Sequence, residues 1–430
     1  MSTASEITIP EPLLVRAVAL DRADPLASLR DEFLPADGVV SYLDGNSLGR
    51  PLRVTAEHLG KLVTDVWASR LIRAWDEGWM DAPTELGDLI ARVTLCAAPG
   101  QTVVADSTTV LLYKLIRAAV EARPGRDVIV ADTQNFPTDR FLVDAIAAER
   151  GLAVRWLDPD PEAGVGVDEL RAVLDRRVAL VVLSHVAFRS GHVAEIAEIT
   201  AATHDAGALI LWDLCHSAGA VEIALDRDGV DLAVGCTYKY LNGGPGAPAF
   251  AYVAAALQDQ LRQPIAGWMG AADPFAMGPR YEPAAGIRRF ISGTPPIVGM
   301  VAMRDMLELI ERAGMAAVRD KSLALTDYAL QFADDRLVPL GARIASPRKR
   351  ARRGSHITLE HPAFRELTAE LWRRGVIPDF RPPQGLRIGL SPLSTSFVEL
   401  ARGLAVVEQL LRAQSSSSAS SPLSGVSPRD

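Results

Sequence analysis

The 430-residue sequence predicts an α/β protein, with a mostly parallel seven-stranded sheet in a large domain and a smaller α+β domain beside it. Three observations predict this. Short apolar, β-prone runs alternate with helical patterns through the middle of the chain. Those runs are apolar on both faces, as strands covered by helices above and below must be. Chemically loaded residues follow the strand ends, where such sheets bind their ligands.

Residues 1–55 lack this rhythm and are assigned to the small domain. Within 56–300, the large domain, strands are expected at Thr102–Ala105, Asp127–Ala131, Ala153–Leu157, Ala179–Ser184, Ala208–Asp213, Leu232–Gly235 and Ala249–Val253. Helices are expected between them at Val110–Ala122, Asp139–Arg150, Val167–Leu174 and Val193–Ala206. The stretch 301–412 returns to the small domain. It holds two long helices (Val301–Ala313 and Ala316–Phe332), short strands near Ile357–Leu359 and Leu386–Gly389, and a last helix from Ser396 to about Gln414. Residues 413–430 carry the low-complexity run SSSSASSPLSGVSPRD and read as a disordered tail.

Composition narrows the function classes. Hydrophobic residues at 48% and charged residues at 23% fit a globular chain and exclude a collagen-like or disordered one. No apolar run is long enough to span a bilayer, and the first residues, MSTASEITIPEP, show no secretory pattern. Three cysteines (Cys96, Cys215, Cys236) make no disulfide framework, so a cytoplasmic protein is expected. A net charge of −8 disfavours nucleic acid as a partner. The one basic cluster, Arg348, Lys349, Arg350, Arg352 and Arg353, lacks interleaved aromatics and reads as a solvated loop before a strand.

The chemistry concentrates between Ala208 and Ala249. One strand delivers Asp213, with His216 three residues on; the next delivers Thr237, Tyr238 and Lys239 before a glycine-rich turn. An amine and a carboxylate so placed suit pyridoxal phosphate. The amine can bond the aldehyde, and the carboxylate can keep the pyridine nitrogen protonated so that the ring accepts electrons. A helix cap and a surface lysine are the ordinary readings of the same two residues. Asp106-Ser107-Thr108-Thr109 follows a strand and opens a helix, which offers backbone amides and hydroxyls to a phosphate or simply caps the helix. Phe136, in Asn135-Phe136-Pro137-Thr138-Asp139 after another strand, is placed to stack on a ring or to pack in the core. No metal-ligand spacing, Walker loop or GxGxxG occurs, and no GxSxG elbow places a serine on a strand-to-helix turn. Cys215 beside His216 reads as a buried structural cysteine, since neighbours on one turn point apart.

These residues sit in motifs that resemble the kynureninases, pyridoxal-phosphate enzymes of the aspartate-aminotransferase fold (fold type I). The motifs are YLDGNSLG from Tyr42, LIRAWDEGWMDAP, DSTTVLLYK, NFPTDRF, LSHVAFRSG, WDLCHSAGAV, CTYKYLNGGPG, GWMG, SGTPPI, RRGSHITL and GVIPDFRPPQGLRIGLSPL. They recur in family order over roughly residues 30–410. The resemblance implies that Lys239 holds the cofactor and moves protons, that Asp213 pairs with the pyridine nitrogen, and that His216 supports the ring. It implies phosphate contacts from Thr108, Thr109 and Tyr238, and further cofactor contacts from Phe136, Pro137, Thr138, Asp139 and Ser184. Trp268 and Thr294 would reach the phosphate from the neighbouring chain of a homodimer with shared active sites. Arg387 would grip the substrate α-carboxylate, with Asn46 and Ser47 bordering its pocket.

The implied activity is hydrolytic Cβ–Cγ cleavage of L-kynurenine or 3-hydroxykynurenine, giving anthranilate or 3-hydroxyanthranilate plus L-alanine, within tryptophan catabolism and NAD biosynthesis. Tyr238 is expected to donate or accept protons with a lowered pKa. Three places depart from the family pattern. Ala271 stands for a histidine, Leu111 for an asparagine, and His185-Val186-Ala187-Phe188-Arg189 lacks an Asn and a Tyr. None is Lys239, Asp213 or Arg387, so the departures bear on the substrate's ring. The alternatives are a relative acting on a ring-substituted kynurenine and a catalytically idle relative kept for binding.

Overall fold

Successive residues of a strand face opposite sides of its sheet, so a strand apolar throughout must be covered twice. The computed structural model, which describes residues 7–419, shows both covers. Seven strands form the large sheet: β1 Thr102–Ala105, β2 Val128–Asp132, β3 Ala153–Leu157, β4 Val178–Ser184, β5 Leu209–Asp213, β6 Leu232–Gly235 and β7 Ala249–Val253. Their order is β1-β7-β6-β5-β4-β2-β3. All pairings are parallel except the two made by β7. One face carries Val130, Val181, Ile210 and Trp212 into one hydrophobic cluster. The alternating residues Ile129, Leu180, Leu209 and Leu211 enter a second cluster on the other face.

The helices begin where capping chemistry allows. After α1 (Glu11–Ala23), α2 spans Thr108–Glu121, with the Ser107 hydroxyl accepting from the Val110 amide at 3.4 Å. α3 spans Pro137–Arg150, starting two residues before the expected Asp139, because proline suits the first helical position. α4 (Val167–Val173) and α5 (Ile196–Asp205) complete the crossovers. The expected start of α5 at Val193 falls instead in a loop that pairs with residue 186.

Beyond the large sheet lie α6 (Ile297–Ala313) and α7 (Met315–Phe332). A four-stranded antiparallel sheet follows, in the order β10-β11-β9-β8, from β8 Arg343–Ile344, β9 His356–Glu360, β10 Asp379–Arg381 and β11 Gly385–Gly389. Its core joins both ends of the chain, since Leu13, Ala17 and Leu43 pack with Leu325, Ile357, Ile388 and Leu404. The last helix, α8, runs Phe397–Ala419, beyond the expected end. The Ser415 and Ser416 hydroxyls donate to the carbonyls one turn back and so fit the helix, which corrects the expectation of disorder over 413–419. The rest of that expected tail, 420–430, lies outside the described residues.

The basic cluster is tied down. Arg348 pairs with Asp334 at 2.7 Å, Arg350 with Asp327 at 3.3 Å, and Arg352 with Glu195. Arg353 is fully buried, donating to Thr326 Oγ1, Asp327 and the carbonyls of Pro347 and Arg348. The solvated-loop reading therefore misses a structural arginine. Among the described residues, no helix is long and apolar enough to cross a membrane.

Candidate active site

The parallel strands β4 and β5 set Ser184 and Asp213 side by side at their carboxyl ends. β6 runs beside β5, with Asp213 paired to Val234, so the chain leaving β6 carries Tyr238 and Lys239 to the same edge. There a cavity of about 280 Å³ is lined by Asp213, His216, Tyr238 and Lys239. Thr108 and Thr109 enter it from the start of α2, and Phe136, Thr138 and Asp139 from the start of α3. Ser184, Ser47 and Arg387 line it as well.

Four expected residues stand elsewhere. Asn46 is buried behind Ser47, with its amide facing Asp44 and Arg387 once oriented to satisfy both. Pro137 opens α3 without lining the cavity. Trp268 is 42% exposed, and Thr294 is exposed too. Neither lines the cavity within one chain. The structure adds Leu112, Phe188, Cys215 and Arg381 to the wall. Phe188 packs edge-on against Phe136 with centroids 5.4 Å apart. Of the departing positions, Leu111 is buried in the core of α2 and Ala271 lies outside the cavity; Phe188 alone reaches it.

Two glycines let distant segments close on the lysine. A side chain at Gly49 would meet the Lys239 carbonyl at 2.6 Å, and the Gly49 amide donates to the Tyr238 carbonyl at 2.9 Å. At Gly389 a Cβ would sit 1.7 Å from the Asn46 side chain. The turn Asp44–Gly49 thus packs closely between the Lys239 turn and β11.

The turn that opens α2 has its own anchor. Asp106 takes a left-handed backbone with φ of 45°, and the buried Lys114 ammonium holds its carboxylate at 2.5 Å and the Phe290 carbonyl at 2.8 Å. Burial pushes the Lys114 amine down while Asp106 pushes it back up. Replacing Lys114 by Met is expected to lower unfolding stability by about 3 kcal/mol, because it strands a partner carboxylate. Urea denaturation would show this as an earlier midpoint; an unmoved midpoint would mean the pair is not what holds the turn.

Electrostatics grade the cavity. Burial, then the charges of Asp213 and Asp132, raise the Asp139 carboxyl well above the usual range, so it holds its proton. Burial and the Lys239 charge push His216 well below the ordinary imidazole value, which keeps it neutral. Lys239 Nζ lies 3.5 Å from His216 Nδ1 and 5.9 Å from the Phe136 ring centroid. Burial pushes the Tyr238 phenol up rather than down as expected from sequence. His216 Nε2 is buried and has no protein partner, so the wall presents an unsatisfied polar atom to a ligand. An amine, a single carboxylate, a neutral imidazole, an aromatic face and a helix start with hydroxyls fit pyridoxal phosphate in every part.

Comparison with known proteins agrees. The Kynureninase C-terminal domain family matches residues 318–407. A kynureninase of Pseudomonas fluorescens is 40% identical over 402 residues, covering 92% of this chain and 94% of that one. One from Burkholderia pseudomallei (strain 1106a) is 41% identical with the same coverage. Among solved structures, the apo cysteine desulfurase of Thermococcus onnurineus NA1 superposes with a TM-score of 0.77 at 19% identity, covering 96% of this chain and 100% of that one. A C-DES variant with glycine covalently linked to its pyridoxal phosphate cofactor gives 0.73 at 19% identity, over 85% and 96% of the two chains. These structures share the fold. The kinship in sequence is closer and nearly end to end: the chain belongs to the kynureninase family.

Proposed function

We propose that the protein is a pyridoxal-phosphate-dependent kynureninase, hydrolysing the Cβ–Cγ bond of L-kynurenine or 3-hydroxykynurenine to anthranilate or 3-hydroxyanthranilate and L-alanine. The observation that carries the reading is the meeting of Lys239, Asp213 and Arg387, far apart in sequence, on one cavity wall. The bound cofactor supplies a covalent anchor for the substrate amine and a ring that accepts electrons from it.

The chain's residues do the rest. Thr108, Thr109 and the amides opening α2 hold the phosphate. Phe136 would cover one ring face, and Asp213 would keep a proton on the pyridine nitrogen. Protonated Asp139 adds no second negative charge there. Arg387 orients the substrate through its α-carboxylate, and Lys239 Nζ takes the proton from the substrate Cα. Water adds to the γ-carbonyl carbon and the Cβ–Cγ bond then breaks: the hydroxyl leaves with the aromatic acid, a proton enters at Cβ, and the proton held by Lys239 returns to Cα to complete L-alanine. Tyr238, keeping its phenolic proton at neutral pH, donates it where charge develops. Tyr238→Phe is therefore expected to slow turnover about 100-fold while cofactor absorbance persists; unchanged turnover rejects the role.

Purified protein should be yellow and lose that band with borohydride. Kynurenine and 3-hydroxykynurenine should each yield a fluorescent aromatic amine and alanine. A preparation that stays colourless with added cofactor would defeat the reading.

A cytoplasmic homodimer completes the proposal. Trp268 and Thr294 face outward, and Trp268 packs edge-on against Phe275, itself 58% exposed. A second chain covering this surface would bring both residues toward its own phosphate cradle. Light scattering should give twice the chain mass; a monomer that still turns over would exclude shared sites.

A further inference from the structure

The mechanism leaves one cation of the cavity wall without a task, and the arginine assigned to the substrate already has partners. Arg387 is 1% exposed at the centre of β11. Its Nη1 donates to the Phe188 carbonyl at 2.8 Å, and its Nη2 donates to Ser47 Oγ at 2.7 Å. The same Nη2 lies 2.7 Å from Asp379 Oδ2 and 3.8 Å from Asp44 Oδ1. Nε faces the Asn46 amide oxygen at 3.1 Å. A guanidinium has five N–H donors, and a two-bonded grip on a planar carboxylate uses two neighbouring ones. With these contacts in place, one occupant of Nη2 must give way.

Asp379 is the one equipped to do so. Its Oδ2 also accepts from Arg381 Nε at 2.6 Å, and Arg381 lines the same cavity. Arg381 is 32% exposed in its side chain, so it has room to move with its partner. We infer that Asp379 is a placeholder for the substrate's α-carboxylate: it neutralises Arg387 in the resting enzyme and passes to Arg381 alone when an amino-acid substrate binds. This rests on the reading of Arg387 as the carboxylate-binding residue. The exchange is noncovalent and conserves charge, since one carboxylate replaces another on Arg387. Neither the buried guanidinium nor Asp379 is left bare, which would be costly. It also selects ligands. A ligand with no carboxylate cannot displace Asp379, so the device admits α-amino acids and turns away the corresponding amines and amides. Asp379 and Arg381 are positioning residues that act through Arg387.

The holoenzyme tests this by steady-state kinetics with kynurenine. Asp379→Asn removes the competitor and is expected to lower KM about tenfold, whereas a merely structural role would raise it. Arg381→Gln removes the alternative partner and should raise KM by a similar factor. In the double variant the Arg381 effect should vanish, leaving the KM of Asp379→Asn. A KM that is raised or unmoved in Asp379→Asn overturns the proposal. So does an Arg381→Gln penalty that persists without Asp379, because Arg381 would then touch the substrate directly. Should Asp379→Asn not fold, L-alanine binding, followed by cofactor absorbance, decides. Arg381→Gln should weaken it about tenfold, and unchanged binding overturns the exchange. If Arg387→Met leaves KM unmoved, the assignment of Arg387 itself fails, whatever Asp379 does.

Discussion

Lys239→Ala is expected to lower turnover by about four orders of magnitude, the combined loss of a covalent anchor and of the base that reaches the substrate Cα. The side chain is placed for both tasks. It lies near neutral His216 and the Phe136 ring, on the wall that also carries Asp213. The variant should still fold, because the backbone around it is held by other contacts. The Gly49 amide bonds the Tyr238 carbonyl, and the Asn242 side chain donates to the Arg50 carbonyl at 2.7 Å. Rapid-quench assays of anthranilate would measure the loss, and the borohydride-sensitive band should disappear with it. Turnover near the unmodified level, in protein freed of contaminating enzyme, would remove Lys239 from the chemistry.

Arg387→Met should cut kcat/KM by about three orders of magnitude, mostly through KM, because a desolvated charge-assisted contact to the substrate is lost. Asp379 would keep only Arg381, and Asp44 would lose a cation. Burial already lifts Asp44 to a pKa of about 6, so that carboxyl would take up a proton more readily still. Arg387→Lys keeps the charge and loses the planar fork, so it should recover only part of the deficit. Initial-rate measurements across kynurenine concentrations separate the two parameters. An unchanged KM in Arg387→Met would show that the substrate carboxylate binds elsewhere.

The large sheet was legible because a strand buried on both faces has no polar position to spare. Where the apolar run stops, as at Asp213 after Trp212, the strand has reached its functional edge. Boundaries shifted by a residue or two where local chemistry overrode periodicity, as at Pro137. The small sheet was legible only in β9 and β11. β8 and β10 are two and three residues long, and charged residues in them mask any alternation. Within the site, residues on consecutive strand ends could be read from order alone. Phe188 and Arg381 could not, since each enters through packing of a loop or an edge strand that no local spacing records. Arg381 did lie within a quoted motif, six residues before Arg387, and two cations so near one carboxylate were the available signal. Burial of the Tyr238 phenol depends on the whole enclosure, and its raised pKa left no mark in the sequence.

The wall of the cavity draws on Ser47 at one extreme and Arg387 at the other, joined by the bond from the guanidinium to the Ser47 hydroxyl. A nascent polypeptide therefore cannot present a finished substrate pocket until nearly all of it has left the ribosome. Assembly of the substrate grip becomes a late event, and any fragment truncated before β11 should lack the hold on the α-carboxylate however well its large sheet forms.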